Sequence, residues 1–195
     1  MEQEYTPQEQ AILLRLAREA LADAAAGREV RLPDLGQLPR SLREPRACFI
    51  TLNTQDGHLR GCTGTLEARR PLAHEVPIMT HQTALHDPRF APVTPPEVPG
   101  LHIEISVLTP PRPLHFEDPR EIPHLLRPGR DGVVLVVGGR RATLLPQVWE
   151  RLPDVHEFLD MLCYKMGLPA GSWQRPDVQV FTYESIAIEE PVPSS

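Results

Sequence analysis

Two stretches of this chain return on themselves through turns too short for anything but an antiparallel strand pair. Residues 46–53 (RACFITLN) and 58–66 flank Asp56-Gly57, while Val133–Val137 and Arg140–Leu145 flank Gly138-Gly139. Asp-Gly and Gly-Gly between β-prone runs are hairpin signals, because the tightest turns need positive φ at their centre. A third run, residues 101–109 (LHIEISVLT), alternates cleanly. Leu101, Ile103, Ile105 and Val107 face one way and His102, Glu104 and Ser106 the other, the pattern of a half-buried strand. Residues 178–188 (VQVFTYESIAI) read as a single last strand.

Helices are mingled with these strands. Thr6, Pro7 and Glu9 form an N-terminal capping signature ahead of apolar residues at helical spacing, and Gly27 stops the run. A second helical stretch runs from Pro71 to about Leu85. Pro77 inside it predicts a kink or two short helices. A proline-rich loop is expected over 91–100 and a short helix over about 119–126. Asp154 and Glu157 cap a helix that runs to Met166 and ends at Gly167. Mingled elements with two hairpins predict an α+β fold, a largely antiparallel sheet with flanking helices. The 195 residues suffice for one domain, read here as 1–195, or for two closely joined lobes.

The bulk composition excludes several classes of function. The net charge of −6 argues against duplex nucleic acid as the main partner. No run approaches the about 20 apolar residues that span a bilayer, and the acidic start does not resemble a secretory leader. A cytoplasmic location is expected. Cys48, Cys62 and Cys163 form no CxxC pair, so neither a disulfide framework nor a zinc ribbon is indicated. The eight histidines lack metal-ligand spacing, so no metal or other cofactor is expected. Of the 20 basic residues only Lys165 is lysine. A chain that otherwise writes arginine can keep lysine where a compact, titratable amine is needed, although a GC-rich genome explains the same bias.

The chemistry concentrates in Leu59-Arg60-Gly61-Cys62-Thr63-Gly64-Thr65. Strand alternation puts Arg60 and Cys62 on one face, and a guanidinium beside a thiol favours the thiolate. Gly61 and Gly64 remove bulk where a ligand or backbone could approach, Gly64 leaving an open patch beside the sulfur. Cys62 is then either a reactive thiol or a small packed strand residue. Cys48 and Cys163 sit in apolar runs and read as core. Asp87 and Arg89 follow a helix and precede a loop, where Asp87 could move a proton, orient a neighbour, or simply pair with an arginine. His102 and Glu104 on one strand face could share a metal or a proton, or line a solvated sheet surface. Lys165 suits the C-terminal end of its helix.

Leu59–Thr65 resembles the signature of the AMMECR domain, which usually reads LRGCIG, so that Thr63 is a departure. Asp87-Pro88-Arg89-Phe90, Glu104-Ile105-Ser106-Val107-Leu108, Leu144-Leu145-Pro146-Gln147-Val148 and Cys163-Tyr164-Lys165-Met166-Gly167-Leu168 are similar to further family segments in the same order. The resemblance covers about residues 10–188. It implies two abutting lobes, discontinuous in sequence, with a cleft at the Leu59–Thr65 motif. It brings no established reaction with it. It implies a modification pathway shared with Memo-like and radical-SAM proteins, with a nucleobase or another small aromatic compound as substrate class. The chain is then read as an enzyme with Cys62 as nucleophile or covalent anchor, Arg60 and Asp87 as catalytic partners, and Gly61, Gly64, Arg89, Glu104 and Lys165 as substrate-binding residues. The other reading is a non-catalytic module that presents substrate to such partners.

Overall fold

A computed structural model describes residues 5–191 and divides the chain into two compact units. The first holds the residues up to Leu108 and those from Ile186 onward; the second is the continuous segment Thr109–Ser185. Each has its own four-stranded sheet and its own apolar core.

The first unit opens with α1 (Pro7–Ala25). Glu9 N–H bonds the Thr6 hydroxyl, and the Glu9 carboxylate accepts the Thr6 N–H in return, which satisfies two donors the helix leaves open. Leu13, Leu16, Ala17, Leu21 and Ala24 form its buried stripe. A short α2 (Arg40–Arg43) precedes the hairpin of β1 (Cys48–Thr54) and β2 (Leu59–Gly64), and α3 (Leu72–His86) and β3 (Leu101–Leu108) follow. α3 runs unbroken through Pro77, contrary to the interruption expected there. The missing N–H costs one bond to the Ala73 carbonyl. Burial of α3 residues such as Leu72, Ala73 and Val76 against the sheet and α1 outweighs that loss. The proline-rich segment expected to be a plain loop contains a 3-10 helix, Pro95–Gly100. Thr94 and Glu97 cap it reciprocally, which gives this otherwise irregular stretch a fixed start.

The second unit contains β4 (Arg112–Pro113), α4 (Ile122–Leu125), β5 (Gly132–Val137), β6 (Arg140–Leu144), α5 (Val155–Lys165) and β7 (Gln179–Tyr183). Its strand order is β4-β7-β5-β6, with antiparallel pairs β4–β7, β7–β5 and β5–β6. Val133, Leu135, Phe158, Leu159, Leu162, Cys163 and Trp149 fill its core. The Trp149 and Phe158 rings stack with centroids 3.7 Å apart.

The single last strand expected over 178–188 is two strands. It breaks at Glu184, where β7 ends in the second sheet and β8 (Ser185–Glu189) begins in the first. The apolar alternation continues across the break, so periodicity alone gives no sign of it. With β8 in place the first sheet has the order β2-β1-β3-β8. Ile50, Leu52, Ile103, Ile105 and Ile188 point into the core under α1 and α3. Residues that alternate with these, among them Thr51, Cys62 and Glu104, lie on the outer face, and β2 is an edge strand. The molecule is an α+β protein with two antiparallel sheets.

Candidate functional site

The cysteine motif lies on that edge strand, and its backbone is irregular. β2 pairs with β1 as Thr51↔Cys62 and Leu52↔Gly61, but then Asn53↔Leu59. Arg60 is therefore the extra residue of a β-bulge. A bulge breaks strict alternation, so Arg60 and Cys62 do not share a face as period 2 predicts. Arg60 turns to the 3-10 segment instead. Its Nε donates to Glu97 Oε1 at 2.8 Å and an Nη donates to the Pro92 carbonyl at 3.5 Å. The Arg60 guanidinium, with help from the Thr94 N–H, pulls the Glu97 carboxyl down to about 2.

Another arginine serves Cys62. The Cys62 N–H donates to Asp87 Oδ2 at 2.9 Å, and the Cys62 carbonyl accepts from Arg89 Nη2 at 2.9 Å. Asp87 and Arg89 bind each other in turn, Arg89 Nε to Oδ1 at 3.0 Å and Nη2 to Oδ2 at 2.7 Å. The pair thus presents one acceptor and one donor to the open edge of β2, as a neighbouring strand would. This clamp closes the edge at the cysteine. Asp87 is only 3% exposed. The Arg89 guanidinium, then the backbone N–H groups of Cys62 and Arg89, hold its carboxyl well below the ordinary range against the opposing effect of burial. A carboxylate so committed orients Cys62 and is poorly suited to take up a proton. Arg89 is in turn held cationic chiefly by Asp87, with smaller contributions from the Cys62 side chain that it lies beside.

The sulfur itself faces outward, half-buried, and accepts a hydrogen bond from Thr51 Oγ1 at 3.4 Å. Cys48 and Cys163 are buried in the two cores, as expected, and burial raises both thiols above the ordinary value.

The glycines serve packing. A β-carbon on Gly61 would lie 3.0 Å from Thr83 Cγ2, so glycine lets α3 approach β2. The open patch expected beside Gly64 is filled. A β-carbon there would overlap the Cys48 carbonyl and the Phe49 ring, because Phe49 lies directly across the ladder and covers it. Thr63 faces α3 and bonds Thr83 Oγ1 at 2.6 Å. The Thr83 hydroxyl hydrogen already goes to the Met79 carbonyl, so Thr63 is the donor and its departure from the usual isoleucine is satisfied.

Glu104 stands on β3 opposite Thr51, on the same outer face as the thiol. Burial first, then Glu189, raises its carboxyl above the ordinary value. It accepts a hydrogen bond from the Ser106 hydroxyl at 3.4 Å, and no described residue forms an ion pair with it. His102 binds the Glu190 carbonyl at 2.6 Å. Arg60, Gly61, Cys62, Gly64, Asp87, Arg89 and Glu104 all belong to the first unit. Lys165 belongs to the second, at the end of α5, where its Nζ donates to the Thr143 carbonyl at 2.7 Å. Among the described residues no three His, Cys, Asp or Glu side chains gather as metal ligands. Among them, too, no helix is long and apolar enough to cross a membrane.

Thr51 and Glu97 are the residues sequence reasoning missed. Pairing the strands across Asp56-Gly57 would have placed Thr51 opposite Cys62. Glu97 carried a weaker signal, its position three residues after Thr94 in a capping box.

The fold and its clamped thiol define a two-unit α+β protein organised around an edge-strand cysteine. The AMMECR1 family profile matches residues 14–188. A protein of Methanothermobacter thermautotrophicus is 39% identical over 184 residues, covering 91% of this chain and 92% of its own. One from Methanocaldococcus jannaschii is 36% identical over 194 residues, covering 96% and 93%. A crystal structure of an uncharacterised protein from Pyrococcus horikoshii is 36% identical. It superposes with a TM-score of 0.76 over 93% of this chain and 91% of its own. The chain belongs to the AMMECR1 family.

Proposed function

We propose that this chain is a cytoplasmic enzyme that holds a small molecule covalently, or attacks it, through Cys62. One observation carries the reading: a half-buried thiol accepts a hydrogen bond from Thr51 while the N–H and carbonyl of its own residue are held by Asp87 and Arg89. A nucleophile needs a fixed position, and hydrogen bonds from Thr51 to the sulfur and from Arg89 to the Cys62 carbonyl support that reading. Asp87 is a positioning residue in this scheme, and Arg89, rather than Arg60, supplies the positive charge beside the thiol. The thiol proton leaves to solvent, and the sulfur bonds to an electrophilic carbon of the substrate as that carbon's π bond opens and its electron pair moves onto the substrate. The family resemblance extends the proposal to Memo-like and radical-SAM proteins as neighbours in one pathway.

The test is alkylation of the native protein with iodoacetamide at pH 7, read by peptide mass spectrometry. Cys62 is expected to react alone and faster than free cysteine in the same buffer. Native protein in which Cys62 stays unmodified while free cysteine is consumed would overturn the reading. The non-catalytic alternative makes a separate prediction. Co-purification with a Memo-like partner that survives Cys62→Ala and fails in Arg60→Glu would favour a presenting module.

A further inference from the structure

The outer face of the first sheet carries a polar row that crosses three strands at the thiol. Cys62 on β2 is registered with Thr51 on β1, and Thr51 is registered with Glu104 on β3. The Cys62 N–H and carbonyl are spent on Asp87 and Arg89, so the Thr51–Cys62 pair is the narrow, non-hydrogen-bonded kind. Thr51 then bonds toward β3, and the Thr51–Glu104 pair is the wide kind. The α-carbons of Cys62 and Glu104 are thus about 10 Å apart with only a threonine between them. A small fragment bonded to the sulfur at one end would have Glu104 within reach of the other.

Glu104 is the odd member of the row. It is half-buried, has no cation partner among the described residues, and faces a second carboxylate, Glu189, from β8. The groups around it are His102 and Ser106 on its own strand, Thr51 on β1 and Glu189 on β8. His102 favours the ionised form only weakly beside burial and Glu189. A half-buried carboxyl with no cation partner, one threonine away from a nucleophile on the same sheet face, is placed to exchange a proton with a group bound at the sulfur.

We infer that Glu104 is a catalytic acid paired with Cys62 across Thr51, and that the substrate class is a small α,β-unsaturated carbonyl compound, conjugated ring amides included. This rests on the reading of Cys62 as nucleophile. The sulfur adds to the β-carbon, the C=C electron pair moves toward the carbonyl, and the carbonyl oxygen takes the Glu104 proton. The thiol proton, released to solvent, restores the Glu104 acid. Nothing is oxidised or reduced and no group leaves.

Two probes separate the acid from the nucleophile. Acrylamide adds by the conjugate route and benefits from a proton donor at its carbonyl; iodoacetamide is displaced at carbon and does not. Rates at Cys62 are measured with both probes on the wild type and on Glu104→Met, which keeps length and removes the donor. The acrylamide rate is expected to fall at least about tenfold and the iodoacetamide rate to stay within about twofold, since displacement needs no acid. Glu104→Gln, which keeps a donor but cannot titrate, is expected to abolish the decline in acrylamide rate that accompanies Glu104 ionisation. Equal changes with both probes, or none with either, would overturn the inference while leaving Cys62 as nucleophile. Failure of iodoacetamide to label Cys62 in the wild type would instead remove the reading on which it rests.

Discussion

The side chains that matter most here are those that fix one peptide group. Asp87 and Arg89 replace a missing strand neighbour at Cys62, and their carboxylate–guanidinium contact is charge-assisted. Asp87→Asn removes the charge but keeps the shape. It is expected to lower stability by about 2 kcal/mol, the scale of a hydrogen bond to a charged group, and to slow iodoacetamide labelling of Cys62. Urea unfolding and the labelling assay check the two effects separately. The same pair sets an acid limit. The folded Asp87 carboxyl lies below its unfolded value, so its contribution is present above the ordinary aspartate range and is lost as pH falls through the folded value. Wild-type stability should therefore decline in acid more steeply than that of Asp87→Asn, measured by denaturation between pH 5 and pH 2. Phe49 leaves no room at Gly64, so Gly64→Ala should cost at least about 2 kcal/mol by overpacking, read as a shift in the urea midpoint. These roles were half legible. The residue types around Cys62 could be read in order, but which arginine served the thiol could not, because a bulge had changed the alternation between them.

The elements show where local signals suffice. The capped ends of α1 and α5, the two hairpins and the alternating strand β3 all stand where spacing and turn residues put them, because each is stabilised by contacts within a few residues. Pro77 and the segment after α3 did not follow local preference. α3 tolerates a proline because its buried stripe packs on both the sheet and α1, and the proline-rich run is ordered by a cap and by the Arg60–Glu97 pair. Glu97→Gln is expected to loosen that run. Proteolysis after Phe90 or within 91–100 by a protease of broad specificity should be faster in the variant than in the wild type. Equal cleavage would show that the proline backbone alone holds the segment.

At the scale of the molecule, the first unit is closed by a strand that comes after the second. Glu190 pairs with Arg18 of α1 and accepts the Ile103 N–H, which ties the residue after β8 to α1 and β3. Both tryptophans, Trp149 and Trp173, belong to the second unit, and Cys48 is sealed in the core of the first. The two units therefore carry separate reporters. A chain ending at Glu184 loses β8, and Cys48 should become reactive to a thiol reagent at neutral pH while tryptophan emission keeps its native maximum. Loss of both signals together would mean that the units fold only as one cooperative block.

Sequence by itself determined the α+β class, the starts and stops of α1 and α5, both hairpins and the cysteine motif with the segments that accompany it in the family. Those features depend on neighbours close along the chain. The tertiary structure alone decided that β7 and β8 part company at Glu184, that Arg89 rather than Arg60 attends the thiol, and that Thr51 and Glu104 share its face. Each of these depends on register between strands far apart in sequence, and a shift of one residue at a bulge or a strand break moves every later side chain to the other face.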